Sequence, residues 1–291
     1  MTRDRLAGCS APEGRRGSSR GWTVVERAGP VETLLGELAD VTSAELAGRR
    51  VACPTRPEDS ALVLGSSQDA SVVDATRARL GGYAVLRRRS GGGAVLLEPG
   101  AQVWLDVFVP ATDPLAVADV GRSAWWLGEL WADACARALG RERGGFSVHR
   151  GALEAGEWSR VACFAGIGSG EVRVAGRKLV GISQRRDRRG AWLHSMALVR
   201  MGTPALADLL DLPASDRARL AAALDASVVT LEDLEGRADL GAVPRRGAAR
   251  SDGTCRPVGE RVLEALLGAL SGAGEPEAAD PADERGAGTG R

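Results

Sequence analysis

Short apolar runs alternate with polar and glycine-rich links along the first half of this chain. Residues 72–80 repeat apolar positions at helical spacing and stop at Gly81-Gly82. Around this helix, four runs have the length and composition of β-strands: 61–65, 83–88, 94–97 and 102–109. A glycine-rich link, Ser90 to Gly93, joins the second of these strands to the third.

The longest predicted helix covers residues 114–139, where Trp126, Leu130 and Ala134 recur at helical spacing before Gly140. Further strands are predicted at 146–149, 160–164 and 192–200, together with a hairpin of 171–174 and 179–183 that turns at 175–177. Three more helices are predicted at 204–210, 215–224 and 258–270. Paired strands with helices gathered between and after them predict an α+β fold, a mostly antiparallel sheet packed with helices.

Both ends of the chain lack the apolar residues that a core requires. Residues 1–20 are rich in Arg, Gly and Ser, and residues 272–291 are mainly Gly, Ala, Pro and acidic residues. Neither segment can bury enough surface to offset its ordering entropy, so we expect two disordered tails. The segment 21–271 between them has the length of one domain.

Charge and cysteine content exclude several classes of protein. The 291 residues carry 38 basic and 38 acidic side chains, so no sustained attraction to nucleic acid or to a membrane surface is expected. No apolar run has the length of a membrane span, and the N-terminus lacks a secretion signal. The five cysteines show no CxxC pair, which favours reduced thiols over a disulfide or zinc framework. We therefore expect a cytoplasmic protein without a metal site.

Two segments are candidates for chemistry. In the first, Arg87, Arg88 and Arg89 precede Ser90 and the glycines Gly91, Gly92 and Gly93, whose backbone allows a ligand to approach closely and whose amides can line an anion site. The second contains Lys178, which is the one lysine among the 38 basic residues. A compact ammonium fits a narrow slot beside a phosphate or acyl oxygen that excludes the planar arginine fork.

Together the two segments resemble the signatures of lipoate–protein ligases in the biotin/lipoate ligase superfamily. The first reads Arg87-Arg88-Arg89-Ser90-Gly91-Gly92-Gly93-Ala94-Val95, similar to the family's RRxSGGGAV. The second includes Cys163-Phe164, Glu171-Val172 and the run from Gly176 through Lys178 to Arg186, similar to the family's lysine motif. The resemblance extends over residues 22–270 and implies a biotin/lipoate ligase-like catalytic domain.

The resemblance implies a reaction in two steps. Lipoate or octanoate attacks the α-phosphate of ATP to give an acyl-adenylate, and a lysine of a lipoyl-carrier domain then takes the acyl group and releases AMP. It implies that Lys178 bridges phosphate and acyl oxygen. The adenylate or acyl chain would be held by Arg87 or Arg88, together with Ser90, Gly91, Gly92, Gly93, Ala94, Gly181 and Ser183. Mg²⁺ would accompany ATP, and the carriers would be lipoyl domains of 2-oxoacid dehydrogenase complexes or the glycine cleavage H protein.

The chain departs from the family pattern after Val95, where many ligases read FHDxGN and this one reads Leu-Leu-Glu-Pro-Gly-Ala. Asp106 is a candidate to replace part of that polar function. His194, near the lysine motif, is a candidate to hydrogen-bond the ligand or the acceptor. The arginines around 185–189 are candidates to attract acidic carrier domains, or form a solvated hairpin end. The accessory C-terminal domain of some ligases is not recognisable.

Two alternatives remain open. An octanoyltransferase would take its acyl group from acyl carrier protein without ATP and needs a nucleophilic cysteine beyond the lysine, where only Cys255 stands. Cys163 precedes the lysine and fits a buried strand position, so the sequence favours the ligase. The other alternative is a family member that binds lipoate or an adenylate without catalysis, which the altered segment after Val95 permits.

Overall fold

The computed structural model of this protein describes residues 16–19 (backbone only), 21–36, 48–201, 206–236 and 256–270. Most of the two predicted tails, and Cys255, therefore lie outside the described residues. Residues 16–19, which belong to the predicted N-terminal tail, form a strand that pairs with residues 22–25. Within this described part, no helix has both the length and the apolar character needed to cross a bilayer.

The described residues form twelve strands and six helices. The strands are β1 (Arg16–Ser19), β2 (Trp22–Val25), β3 (Arg27–Gly29), β4 (Arg50–Pro57), β5 (Ala61–Leu64), β6 (Ala84–Arg87), β7 (Val95–Leu97), β8 (Gln102–Pro110), β9 (Phe146–Val148), β10 (Val172–Val174), β11 (Arg177–Asp187) and β12 (Gly190–Leu198). The helices are α1 (Val31–Gly36), α2 (Ala75–Leu80), α3 (Trp125–Leu139), α4 (Ala214–Ser227), α5 (Leu231–Gly236) and α6 (Val258–Leu270). This composition confirms the predicted α+β class.

A large sheet has the strand order β1-β2-β4-β8-β12-β11-β10-β9, with β3 also paired to β4. Its pairs are antiparallel except where β2 and β3 run parallel to β4. Side chains alternate between the two faces. Leu105, Val107 and Leu193 pack against α3 and α6 in the main core. The same strands turn Trp104, Asp106 and His194 to the opposite face, which belongs to the functional site.

A small sheet lies over that opposite face. Its strand order is β6-β5-β7, with β5 parallel to β6 and antiparallel to β7. Val63 of β5 and Leu97 of β7 share a buried cluster with Trp104 of the large sheet, so apolar side chains join the two sheets. Because only Ala94 separates β7 from the triple-glycine segment, this packing fixes one end of that segment.

Two predicted elements are wrong and two helices are shorter than expected, one of which, α2, begins at Ala75 and not at residue 72. Helix α3 begins at Trp125, because Gln184 and Arg186 of β11 bind the carbonyls of residues 117, 118 and 120 and hold the preceding segment as a loop. Residues 160–164 are not a strand, since they form turns that lead into the 3₁₀ helix Cys163–Ala165. The helix expected at 204–210 is a 3₁₀ helix, Leu206–Leu209, within the described part of that range.

Candidate functional site

An open cleft lies between the small sheet and the large sheet, with a volume of about 1010 Å³ that includes space continuous with solvent. Its apolar wall is built from both sheets, and includes Val63, Val95, Leu97, Trp104, Trp192 and Met196. Polar groups lie beside this wall, among them Ser90, Ser183 and His194. An apolar cleft with a few convergent polar groups has the composition of a small-molecule site.

Arg88 folds the triple-glycine segment into a compact bend. Its Nη2 donates to the carbonyl oxygens of Gly91 and Gly93, each at 2.8 Å. Gly92 has a φ of +100°, which L side chains rarely adopt. Gly91, Gly92 and Gly93 are not part of the cleft wall, whereas Ser90 before them and Val95 after them line the cleft.

Gly93 and Ala94 are fixed by the segment that carries Cys163. The Ala94 amide donates to the Val161 carbonyl at 2.8 Å, and the Cys163 amide donates to the Ala94 carbonyl at 2.9 Å. Ala94 is buried and lines a second, smaller cavity on the far side of β7. Its contribution to the cleft is therefore to hold the bend in position.

The three arginines before the bend have different environments. Arg87, expected at the adenylate, lies away from the cleft and binds the Gly65 and Gln68 carbonyls with Nη1. Arg88 and Arg89 line the cleft. Arg89 is exposed and makes no hydrogen bond or ion pair with the residues that the structure describes. Of the two arginines predicted to bind the adenylate, only Arg88 lies at the cleft. Arg89 also lies at the cleft and was not among the predicted site residues.

Lys178 is buried beneath the cleft floor, with only 4% of its surface exposed. Its Nζ donates to the carbonyl oxygens of Cys163 and Gly166, both at 3.0 Å, and lies 2.7 Å from Oε2 of Glu171. The ammonium also lies 5.0 Å from the centre of the Phe164 ring. A side chain on Gly181, which lines the cleft, would meet the Lys178 amine at 3.6 Å. The charge is therefore adjacent to the cleft at the glycine floor.

Glu171, which belongs to the second sequence motif but was given no role there, is the counter-ion of Lys178. It is 4% exposed, and besides Lys178 it accepts hydrogen bonds from the backbone amides of Gly168, at 2.7 Å, and Ile182, at 2.9 Å. These contacts tie the loop before β10 to β11. Which carboxylate pairs with Lys178 depends on the register between β10 and β11, and the sequence alone does not determine that register.

We expect Glu171→Gln to lower the free energy of unfolding by about 3 kcal/mol, because it leaves a buried ammonium without its counter-ion. Urea denaturation of the full chain measures this change. Glu154→Gln is the matched control, since Glu154 pairs with Arg173 at an exposed site and its loss should change stability little. If the two variants unfolded at the same urea concentration, the Lys178–Glu171 pair would not contribute to stability as a buried ion pair should.

A row of polar side chains crosses the large sheet at the cleft floor. Strand register pairs Ser183 with His194 and His194 with Asp106. Ser183 Oγ donates to Ser90 Oγ at 3.2 Å, which joins the row to the glycine-rich bend. Asp106, which is fully buried, accepts hydrogen bonds at Oδ1 from Trp104 Nε1 at 2.7 Å and pairs with His194 Nδ1 at 3.0 Å. The structure thus brings together the predicted residues Ser90, Ser183 and His194, and places Asp106 behind the histidine.

Cys163 is not the buried strand cysteine that the sequence indicated. It is half-buried on a 3₁₀ turn and lines the cleft, with Sγ 3.9 Å from Arg88 Nη2. The apolar run around it was misread as a strand. In contrast, Cys53 and Cys135 are buried. Burial raises the pKa of the Cys53 thiol, and it raises the pKa of the Cys135 thiol to about 12. Among the described cysteines, Cys163 is therefore the one accessible from the cleft.

Two more arginines and an aromatic residue reach the cleft from the β11–β12 hairpin. Arg185 pairs across the strands with Trp192, and both line the cleft together with Arg189. Arg189 also pairs with Asp187, whereas Arg185 has no ion pair within the described ranges. The described residues contain no group of three or more His, Cys, Asp or Glu side chains arranged to bind a metal ion.

The family model of the lipoyl protein ligase A/B catalytic domain matches residues 54–240, which contain the glycine-rich bend, Lys178 and the cleft floor. The chain belongs to this family. Its fold is that of the lipoate protein ligases, as the solved structures that resemble it also indicate. No curated protein matches the sequence.

Three solved structures are similar to this chain over most of their length. A bipartite lipoate protein ligase from Thermoplasma acidophilum, described with its E2 lipoyl domain, has a TM-score of 0.59 at 18% identity, covering 87% of this chain and 82% of its own. Lipoate-protein ligase A bound with ATP has a TM-score of 0.56 at 18% identity, covering 88% and 85%. A Thermoplasma acidophilum protein with bound lipoic acid has a TM-score of 0.57 at 16% identity, covering 88% and 86%.

Proposed function

We propose that this protein is an ATP-dependent lipoate or octanoate ligase that acylates a lysine of lipoyl-carrier domains. The observation that carries the proposal is the buried Lys178 ammonium beneath Gly181, at the floor of a cleft that combines an apolar wall with cationic residues. Relatives of the same fold are described with ATP, with lipoic acid and with an E2 lipoyl domain. These descriptions support both substrates and the class of carrier.

In this proposal the acyl chain lies along the apolar wall, and its carboxylate lies near Gly181 and Ser183. The carboxylate attacks the α-phosphate of ATP, and pyrophosphate leaves. Negative charge then develops on the phosphate and acyl oxygens, where Lys178 and the Arg88 guanidinium stabilise it. A ligand oxygen above Gly181 would compete for one Nζ proton with the carbonyl of Cys163 or Gly166. Arg89 and Arg185, at the cleft, neutralise the remaining phosphates.

Mg²⁺ would reach the cleft as the counter-ion of ATP. The neighbouring carboxylates do not fit a metal cage, because Asp106 is held by Trp104 and His194 and Glu171 is held by Lys178. We therefore assign no residue and no step to the ion. The reaction requires a carrier domain with a lysine that accepts the acyl group. A lipoyl domain of a 2-oxoacid dehydrogenase complex and the glycine cleavage H protein are both suitable acceptors.

Cys163 supports a second candidate, an octanoyltransferase that uses no ATP. Its thiolate would attack the octanoyl thioester of acyl carrier protein, with release of the carrier's thiol, and the lysine amine of the second carrier would then attack the Cys163 thioester and release the thiolate. The favouring observation is that Sγ lines the cleft beside the Arg88 guanidinium, on the turn whose carbonyl binds Lys178.

We expect Cys163→Ala to keep acylation of an apo lipoyl domain from ATP and octanoate within about threefold of the wild-type rate, since the ligase route forms no bond to sulfur and an alanine leaves the turn in place. Intact mass of the lipoyl domain over time measures the rate. Cys135→Ala, at a buried site away from the cleft, is the control for loss of a thiol. Transfer from octanoyl-acyl carrier protein without ATP that is lost in Cys163→Ala alone, with an octanoyl adduct on the wild-type protein, would favour the transferase.

A further inference from the structure

We propose that His194, oriented by Asp106, is the proton acceptor that activates the carrier lysine in the transfer step. The inference rests on the proposed function and deepens it. The starting observation is a histidine–carboxylate pair at the cleft, 3.0 Å between Nδ1 and Oδ1, formed by adjacent strands of the large sheet. The pair joins a cleft residue to a buried carboxylate that the first reaction step does not use.

The position of Asp106 is fixed from several sides. It is fully buried on β8, and the Trp104 indole donates to the same Oδ1 that the histidine contacts. The Arg27 guanidinium lies 3.9 Å from Oδ2 and supplies the opposite charge. A carboxylate held in this way cannot contact a ligand directly. It can affect the cleft only by orienting His194 and by accepting the hydrogen bond from its Nδ1. Asp106 is therefore a positioning residue.

The hydrogen bond to Asp106 determines which nitrogen of His194 is available. With Nδ1–H donating to the carboxylate, Nε2 carries the lone pair, because a neutral imidazole has one donor and one acceptor nitrogen. The side chain is 17% exposed and lines the cleft, and its Nε2 makes no hydrogen bond within the part of the chain that the structure describes. A basic nitrogen is thus directed by the sheet toward the ligand space.

The two steps of the reaction differ in their need for a base. The attacking lipoate or octanoate carboxylate has no proton to lose, whereas a lysine of the carrier domain is an ammonium at neutral pH and must be deprotonated. In the transfer step Nε2 takes one proton from the ammonium, the resulting amine nitrogen bonds to the acyl carbon, and the bond from that carbon to the AMP oxygen breaks. The second proton leaves the nitrogen for solvent as the amide forms. The imidazolium then returns its proton to solvent.

Other groups at the cleft do not fit this role. Lys178 is an ammonium whose Nζ faces three oxygen acceptors, so it can donate protons but has no lone pair to accept one. The guanidiniums of Arg88, Arg89 and Arg185 carry hydrogen-bond donors and no acceptor. Ser183, beside His194 on β11, is a weak base. Among these histidine, lysine, arginine and serine side chains, the imidazole is the one with a basic lone pair.

The test separates the two steps in the full-length protein with His194→Gln. ATP, octanoate and hydroxylamine report adenylate formation as octanoyl hydroxamate, and an apo lipoyl domain reports transfer as a mass gain. We expect hydroxamate formation within about threefold of wild type and a loss of about 100-fold in kcat for transfer. His149→Gln, at the second histidine of the chain, whose ring binds the Ala152 carbonyl outside the cleft, should leave both rates unchanged.

A second variant tests for the base itself. In His194→Gly, added imidazole should restore transfer at least tenfold without changing hydroxamate formation, which a purely structural histidine would not allow. Equal losses in both steps of His194→Gln, unchanged transfer in that variant, or no restoration in a His194→Gly protein that still forms hydroxamate would each overturn the inference. If the wild-type protein forms neither hydroxamate nor acylated carrier, the proposed function itself fails, which is a distinct result.

Discussion

Lys178→Arg is expected to lower the rate of carrier acylation by about 100-fold or more, although the substitution keeps the positive charge. The reason is the geometry of the slot. Nζ contacts two carbonyl oxygens and one carboxylate oxygen at 2.7–3.0 Å, directly beneath Gly181. A planar guanidinium is wider than an ammonium, so it would displace the turn at Cys163–Ala165 or extend into the cleft.

Arg177→Lys is the matched control for this variant. Arg177 adjoins Lys178 on β11, but its Nη2 binds the Asp225 carbonyl at 2.8 Å, away from the cleft. We expect its acylation rate to match wild type. The measurement is the intact mass of an apo lipoyl domain over time, with the melting temperature of each variant recorded to separate lost activity from lost folding. A folded Lys178→Arg protein with the wild-type rate would remove Lys178 from the mechanism.

Gly93→Ala is expected to lower the free energy of unfolding by about 2 kcal/mol and to remove most of the activity. A Cβ on Gly93 would lie 2.6 Å from the carbonyl carbon and 2.7 Å from the nitrogen of Ala162, and 2.8 Å from the nitrogen of Cys163. These are backbone atoms, held by the hydrogen bonds of Ala94 to Val161 and Cys163. Moving them would also move the Cys163 carbonyl that binds Lys178.

Gly91→Ala provides the comparison within the same three glycines. A Cβ at Gly91 meets no atom within 4 Å, so this variant should stay close to wild type in stability and rate. Chemical denaturation and the lipoyl-domain assay measure both quantities. If Gly93→Ala were as stable and active as Gly91→Ala, the close approach of the bend to Ala162 would have no importance for the site.

The local motifs could be predicted because the residues of each motif are contiguous in the sequence. The glycine-rich bend and Lys178 were selected from the sequence, and strands such as β5 and β8 were found from their apolar runs. Gly140 was identified as the end of α3, and its φ of +62° explains the choice of glycine. These features depend on residues that are close together in the sequence, so the sequence alone is enough to predict them.

The remaining parts of the site depend on strand register and loop contacts. Glu171 becomes the counter-ion of Lys178, and Asp106 the partner of His194, only through the pairing of distant strands. Cys163 was misassigned because an apolar run of five residues reads equally as a strand and as a buried turn. The loop before α3 was misread as helix because the side chains that hold it, Gln184 and Arg186, lie on another element.

The central claim is that this protein uses ATP to attach lipoate or octanoate to a carrier lysine. The most direct test is the intact mass of an apo lipoyl domain after incubation with the protein in two parallel mixtures. One contains ATP, Mg²⁺ and free lipoate or octanoate, and the other contains octanoyl-acyl carrier protein without ATP. We predict a mass gain of one acyl group in the first mixture alone. A gain in the second mixture alone, or in neither mixture, would contradict the claim.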